Sequence, residues 1–429
     1  MKRIMAAGAV ALAMAITACG SSSQAGSSNS GTSSGPYRLL AVVATSGAFQ
    51  AVGQATVNTL KIAVHAVNDS GGINGRTMTL QVIDDQGDAT KAVSLLQAQL
   101  GGSSPPDAVF AGSTSDETLA MLPVLTARKI FNIGTTASVK INNPAAFPYT
   151  FRPQPLISFV GEQYASMFKE KGYKSVGLLT TDDLLGQTSA AAYKAALEGV
   201  GIKVYSETYS STDLDVTAPM SRLAADNPDA VLFSALAPTS PPLVLAARKK
   251  VNMTQPIYGD ISINADLYNL VPRSEAQNVF LATAKGNTYP PGGDPKALAD
   301  FITTLKTYGP IKNYMINYTY GYDAVRLIQI AAKLSDSTDA AKMSKALVDM
   351  SSIPAGIALL SYSDTRFSPS DHFNAGASPS DFVMQPLGPR VDGQFRLPLP
   401  YVTRPPEPVW PRFGGATLAC GPNAILAAG

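Results

Sequence analysis

From Tyr37 onward the chain alternates between short apolar runs and longer segments of helical periodicity, and that alternation leaves little choice of architecture. YRLLAVVAT at 37–45 reads as a buried strand. QATVNTLKIAVHAVND at 54–69 has Val57, Leu60, Val64 and Val67 at three- and four-residue steps, which places them on one helix face. The glycines of NDSGGINGR break that helix, and TMTLQVIDD then alternates Met78, Leu80 and Val82 as a strand does. DATKAVSLLQAQL offers Asp88 as an N-cap, with Val93, Leu96 and Leu100 on one face. Strand DAVFAG, helix TSDETLAMLPVLTAR and strand KIFNIG continue the series. Strands that alternate with amphipathic helices form parallel sheets, because a parallel neighbour needs a crossover long enough to hold a helix.

After FPYTFRPQP the rhythm restarts. SVGLLTT, KVYSETY, AVLFSAL, PIYGD and NVFLATA read as strands. LISFVGEQYASMFKEKG, QTSAAAYKAALEGVG, VTAPMSRLAAD and PPLVLAARKKV read as helices. Two such series predict an α/β protein of two similar, doubly wound, Rossmann-like lobes. Residues 296–350 read as helical and rich in Tyr and Ala, with Tyr318, Tyr322, Val325 and Ile328 on one side of a helix. The stretch from SYSDTRFSPSDHFN to VDGQFRLPLP reads as short extended pieces, and residues 399–429 as a Pro/Gly-rich tail.

The N-terminus is of another kind. Met1, Lys2 and Arg3 precede IMAAGAVALAMAI, which is shorter than the ~20 apolar residues a membrane span needs. A cationic start followed by a short apolar core describes a secretory signal over residues 1–18. Its end, Ile16-Thr17-Ala18-Cys19, resembles the lipobox of bacterial lipoproteins. That resemblance implies that Cys19 is lipidated and becomes the new N-terminus, so that the protein is held to the cell membrane on its extracytoplasmic side. Residues 19–36, almost all small and polar after the cysteine, then act as a flexible tether reaching about 20 Å. The one other cysteine, Cys420, has no partner left for an internal disulfide.

Composition narrows the function classes. The chain has 429 residues, only 15% of them charged, and a net charge of +2, with no basic cluster for nucleic acid. It contains no CxxC or HExxH spacing for a metal, and no P-loop or GxGxxG fingerprint for a nucleotide, so no cofactor is expected. No GxSxG elbow is present. His65 falls on a helix, and His372 beside Asp371 suits loop hydrogen bonding better than general-base work. Asp84-Asp85 and Asp182-Asp183 end strands, where loop anchoring or helix capping is the simpler role. With no nucleophile–base constellation, the chain reads as a binder and not an enzyme.

Three loops of the first series follow strands at one sheet edge: TSGAFQAVG (45–53), GSTSDET (112–118) and GTTAS (134–138). Hydroxyls concentrate in them. The second loop opens a helix, whose free N–H groups attract an anion. Ser113, Thr114 and Ser115 are expected to donate to a carboxylate, while Ser115 or Asp116 caps the helix.

The order of these motifs resembles the substrate-binding proteins of branched-chain amino acid (Leu/Ile/Val-type) ABC transporters, which have the type I periplasmic binding protein fold. The resemblance rests on AVNDSGGINGRTMTLQVIDDQGDATKAV, FPYTFRPQP, EKGYKSVGLLTTDDLLGQTSAAAYKAALEGVGIKV and YGYDAVRLIQIAA, and runs from Tyr37 to about Pro398. It implies two lobes joined by three crossings, near Phe151-Arg152-Pro153, 284–288 and 350–360. Lobe 1 then comprises 37–152 plus about 286–352, and lobe 2 comprises 153–285 plus about 353–398. A small-molecule ligand is clamped between them and handed to the permease subunits of an importer, the binder acting as a monomer. Sensors share this fold, so a receptor that signals without transport is the alternative.

Candidate ligand contacts are Ser46, Phe49 and Val52 in the first loop and Ser113, Thr114 and Ser115 in the second; carried over by position, the family's carboxylate-binding hydroxyl falls at Ser113 or Ser115. The third loop gives Thr135, Thr136 and Ala137, where the family's threonine is replaced by Ala137. The second lobe gives Leu185, in place of a tyrosine, and Asp260, near which the acid that holds the ammonium group in the family would lie. Val52 stands where the family has an aromatic residue. The carboxylate end is thus kept and the ammonium end weakened. The resemblance implies a small carboxylate-bearing solute, whether an amino acid or a related organic acid or amide.

Overall fold

The computed structural model describes residues 35–394 apart from 238, 261–262, 264–266, 286–287, 290–291 and 363. The expected signal, Cys19, the tether up to residue 34 and the tail lie outside the described residues. The first lobe is built from β1 (Tyr37–Val43), α1 (Gln50–Asp69), β2 (Met78–Asp84), α2 (Ala89–Leu100), β3 (Ala108–Ala111), α3 (Ser115–Ala127), β4 (Phe131–Ile133) and β5 (Thr150–Phe151). The second follows with α4 (Ile157–Glu170), β6 (Ser175–Thr181), α5 (Leu184–Gly199), β7 (Lys203–Tyr209), α6 (Thr217–Asp226), β8 (Ala230–Ser234), α7 (Ser240–Lys250), β9 (Ile257–Gly259), α8 (Leu267–Leu270) and β10 (Val279–Ala284). Then come α9 (Lys296–Lys306), α10 (Met315–Ser335), α11 (Ala340–Val348) and β11 (Phe382–Pro386).

The first sheet has the order β2-β1-β3-β4-β5 and the second β11-β10-β9-β8-β6-β7. Every neighbouring pair is parallel except β10 with β11. Leaving β11 aside, the second sheet repeats the strand order of the first. In each, the order reverses beside the opening strand, between β1 and β3 and between β6 and β8. At such a switch point the adjacent loops diverge and open a crevice beyond the carboxyl ends of the strands.

Strand parity shows why both sheets are covered on two faces. Leu39, Ala41 and Val43 of β1 join Val57, Leu60 and Val64 of α1 in one core. The alternate residues Leu40 and Val42 join Leu96 of α2 and Met121 of α3 in another. A parallel strand buried on both faces is apolar throughout, as YRLLAVV nearly is. The second lobe packs α4–α8 around β6 and β8–β10 in a single larger core.

The first helix opens at Gln50, four residues before the start expected from its periodicity, so the end of the first loop is helix. Gly53 in that early turn lies so close to the end of β1 that a Cβ would stand 1.9 Å from the Ala44 carbonyl oxygen. Gly186 repeats the contact in α5, with the Thr181 oxygen 2.0 Å away. A glycine that lets a helix N-terminus approach its strand is a packing device of doubly wound sheets.

Helix α10 departs from the expected one-sided pattern by being buried nearly all round. Ala324, Val325, Ile328 and Ala331 belong to the first-lobe core, whereas Ile316 and Tyr320 belong to the second. The late crossing also runs differently from the expected boundary at 353. Phe367 and Phe373 pack in first-lobe cores, so much of the segment between Ile353 and Phe373 stays with the first sheet, Tyr362 excepted. Backbone bonds tie it to the first crossing, from Arg152 N to the His372 carbonyl (3.0 Å) and from Asn374 N to the Gln154 carbonyl (2.9 Å). Asp323 of α10 anchors its start by accepting from the N–H groups of Leu360 (2.7 Å) and Ser361 (2.8 Å).

Candidate functional site

The switch-point loops of the first lobe are fixed from behind by carboxylates. Asp84, ending β2, accepts from Thr45 N (2.9 Å), Ser46 N (3.2 Å), Gln86 N (3.1 Å) and the Ser46 hydroxyl (2.6 Å), which shapes the loop after β1. Glu117 accepts from Ser113 N (2.6 Å) and Thr114 N (3.1 Å) and shapes the loop after β3. The N-cap of α3 is Thr114, paired with Glu117 in a capping box, and not Ser115 or Asp116 as expected. This leaves the N–H groups of Ser115 and Asp116, at the first two helical positions, without an intrahelical partner. The Ser113 hydroxyl accepts from Ala44 N at 2.9 Å, so its own proton is available to a further acceptor. No described residue pairs with the Ser115 hydroxyl. One short arc therefore offers two hydroxyl and two N–H donors, backed by a helix N-terminus.

The loop after β4 does the opposite. The Thr118 hydroxyl donates to the Ala111 carbonyl (2.6 Å), so it can only accept from Thr136, 3.0 Å away. Thr136 has spent its proton and presents lone pairs alone. Gln154, in the first crossing, donates from Nε2 to the Thr136 carbonyl (3.1 Å), while its Oε1 is buried without a partner.

Ser113, Ser115, Thr136 and Gln154 line a cavity between the lobes with about 850 Å³ of empty space, its opening to solvent included. The opposite wall is apolar: Ile157 and Val160 of α4, Leu185 of α5, Leu236 after β8 and Phe382 opening β11. Asn313, Asn317 and Tyr320 also line it. No Asp, Glu, Lys or Arg is among the described residues lining it. Beside the cavity the lobes touch through polar bonds. Ser138 and Thr188 share a buried hydroxyl contact at 2.8 Å, and Leu184 N donates to the Asp116 carboxylate at 3.3 Å.

Of the residues expected from sequence, Val52, Ser113, Ser115, Thr135, Thr136, Ala137 and Leu185 line this cavity. Ser46 is turned to Asp84, Phe49 lies against Gly87, and the Thr114 side chain is the cap. Asp260 does not line it. Only 1% exposed, it accepts from the Tyr193 hydroxyl at 2.8 Å beneath α5. Asp183, like Asp84, proves to be an anchor and caps α5. His372 faces the Thr150 carbonyl at 3.2 Å and stacks on Phe151, while Asp371 accepts from Asn142 and from Phe373 N, so the two form no catalytic pair. Gln154, Leu236 and Asn313 are among the lining residues not expected from sequence. Leu236 was within reach, because it follows the strand that repeats β3.

Burial, reinforced by the charge of Asp85, pushes the Glu117 carboxyl up to about 7. The folded state then holds its proton more tightly than the unfolded chain, whose Glu titrates at about 4.3. The Glu117 contribution to stability is therefore present at acid pH and lost as pH rises towards 7. Glu117→Gln should remove this slope. Between pH 5 and 8 the wild type should lose about 2–3 kcal/mol relative to the variant, read from urea midpoints at both values. A pH-independent difference would mean that Glu117 titrates as an ordinary surface carboxyl.

Comparison with known proteins agrees with this architecture. A family model described as periplasmic binding protein matches residues 36–378. A Leu/Ile/Val-binding protein of Rhizobium johnstonii is 24% identical over 322 residues, covering 74% of this chain and 85% of its own. An extracellular ligand-binding receptor from Rhodopseudomonas palustris superposes with a TM-score of 0.70 at 19% identity, covering 84% of this chain and 99% of that one. A fatty acid ABC transporter substrate-binding protein from Thermomonospora curvata gives 0.62 at 19% identity over 73% and 80%.

Proposed function

The chain belongs to the periplasmic binding protein family and has the type I fold, and from that premise we propose that it is a lipid-anchored receptor that captures a small carboxylic acid between its lobes and delivers it to an ABC importer. One observation carries the ligand class: the cavity offers donors at the opening of α3 and no charged side chain among its described lining residues. The Ser113 and Ser115 hydroxyls, with the N–H groups of Ser115 and Asp116, hold the carboxylate, and the helix dipole offsets its charge. Val52, Ala137, Leu185 and Leu236 take the apolar body. An ammonium group would be buried without a counter-charge, at a cost of several kcal/mol. The ligand is therefore an acid without a free amino group, and the role is capture and release, not bond making. A related fold serves a protein named for fatty acids, which are likewise carboxylates on an apolar body.

The test is thermal unfolding of the purified protein against amino acids, amides, aliphatic acids and aromatic acids. A true ligand at 100 times its dissociation constant stabilises by about 2.7 kcal/mol. Shifts confined to acids support the reading, and a shift with leucine or valine but no deaminated analogue sinks it. Lipidation at Cys19 is tested separately. Cys19→Ala should move the protein from the membrane fraction to the soluble extracytoplasmic one, and an unchanged distribution would remove the anchor from the account.

A further inference from the structure

The two lone-pair groups on the cavity wall ask for something a plain carboxylate on a hydrocarbon does not have. Gln154 is 3% exposed, and a carbonyl opposite its amide fixes the orientation: Nε2 must face the Thr136 oxygen, so Oε1 is the unpaired atom. A buried acceptor left unpaired is destabilising, because it has given up its bond to water for nothing. Beside it, the Thr136 hydroxyl is turned into an acceptor by the relay through Thr118 to the Ala111 carbonyl. Both residues line the cavity.

We propose that Gln154 and Thr136 read a neutral hydrogen-bond donor on the ligand, so that the solute is a hydroxy acid and not an unsubstituted acid. This rests on the carboxylate reading above and deepens it. The donor is neutral because no carboxylate accompanies the two acceptors on the described lining. It sits close to the ligand's carboxylate. Thr118 is three residues beyond Ser115 in α3, hence about 5–6 Å from it across one helical turn. Thr136 is one hydrogen bond further on. Such a span suits a donor on the carbon next to the carboxylate or on the one after it.

The experiment is titration calorimetry with two matched sets on the full-length protein. One set is 2-hydroxy-4-methylpentanoate, 4-methylpentanoate and leucine; the other is 3-phenyllactate, 3-phenylpropanoate and phenylalanine. In at least one set the hydroxy acid should bind 10-fold or more tightly than both companions, since a site built around a ligand hydroxyl rejects the analogue that lacks it. Gln154→Met keeps the size and removes the acceptor, and Thr136→Val does the same at its position. Each should bring the ratio of hydroxy to unsubstituted acid close to one. A purely structural role would weaken both acids equally and leave the ratio unchanged, which overturns the proposal. Equal or tighter binding of the unsubstituted acid by the wild type overturns it too, but leaves the carboxylate reading intact. Tightest binding of the amino acid, or binding of none of the six, overturns both.

Discussion

Ser115→Asp should abolish capture of a carboxylic acid, with a loss of about 10³-fold in affinity. Ser115 is 3% exposed, lines the cavity and holds the first helical position of α3. A carboxylate there competes for the same N–H groups that serve the ligand. It also sets two like charges ~4 Å apart, worth about 4 kcal/mol at an effective dielectric of 20. The fold should tolerate the change, because a helix opening favours an acidic residue. Ser115→Ala, which removes one donor and adds no charge, should lose only about 10-fold. Calorimetry with the best acid from the panel separates the cases, with circular dichroism to confirm folding. Retained binding by Ser115→Asp would place the carboxylate elsewhere in the cavity.

The second large effect concerns stability. Gly53→Ala and Gly186→Ala should each cost about 3 kcal/mol, at the upper end of overpacking changes. The added methyl group would meet a backbone oxygen at 1.9 or 2.0 Å, and a carbonyl within a β–α turn cannot swing aside as a side-chain tip does. Helix α1 or α5 must back away from its strand. Because their first turns carry Val52 and Leu185, ligand affinity should fall as well. Gly199→Ala is the control: nothing lies within 4 Å of its Cβ position, and alanine should be neutral or stabilising by up to ~1 kcal/mol. Urea denaturation measures all three. A change below about 0.5 kcal/mol at either tight glycine would mean that the helix shifts without strain.

Periodicity revealed most of the scaffold because each lobe obeys a local rule: a strand buried on both faces is apolar, and a covering helix shows one apolar stripe. The rule fails where tertiary position overrides it. Helix α10 has no exposed face before its last turn because two cores meet on it and even Thr319, Asp323, Arg326 and Gln329 are buried, and Phe367 and Phe373 sit in loop-like sequence with no period to place them. The cavity divides in the same way. Ser113, Ser115 and Thr136 were readable because strand ends and helix openings are local events. Gln154 was not, since an unpaired amide oxygen exists only once the crossing, the loop after β4 and the other lobe are assembled. Asp260 was misjudged for a similar reason. Position along the chain puts it after β9, but only packing reveals Tyr193 over it.

The sharing of α10 has a consequence for how the molecule comes apart. Its later turns are pinned in the first-lobe core, and its opening turns, through Ile316 and Tyr320, in the second. Tyr320 also shares a hydroxyl contact at 2.5 Å with Tyr362 of the returning crossing. Neither lobe can melt without stripping this helix from its partner. Two bodies that look separable should therefore behave as one cooperative unit, unfolding in a single transition, and a fragment ending at Ala284 should lack the wall on which its first sheet packs.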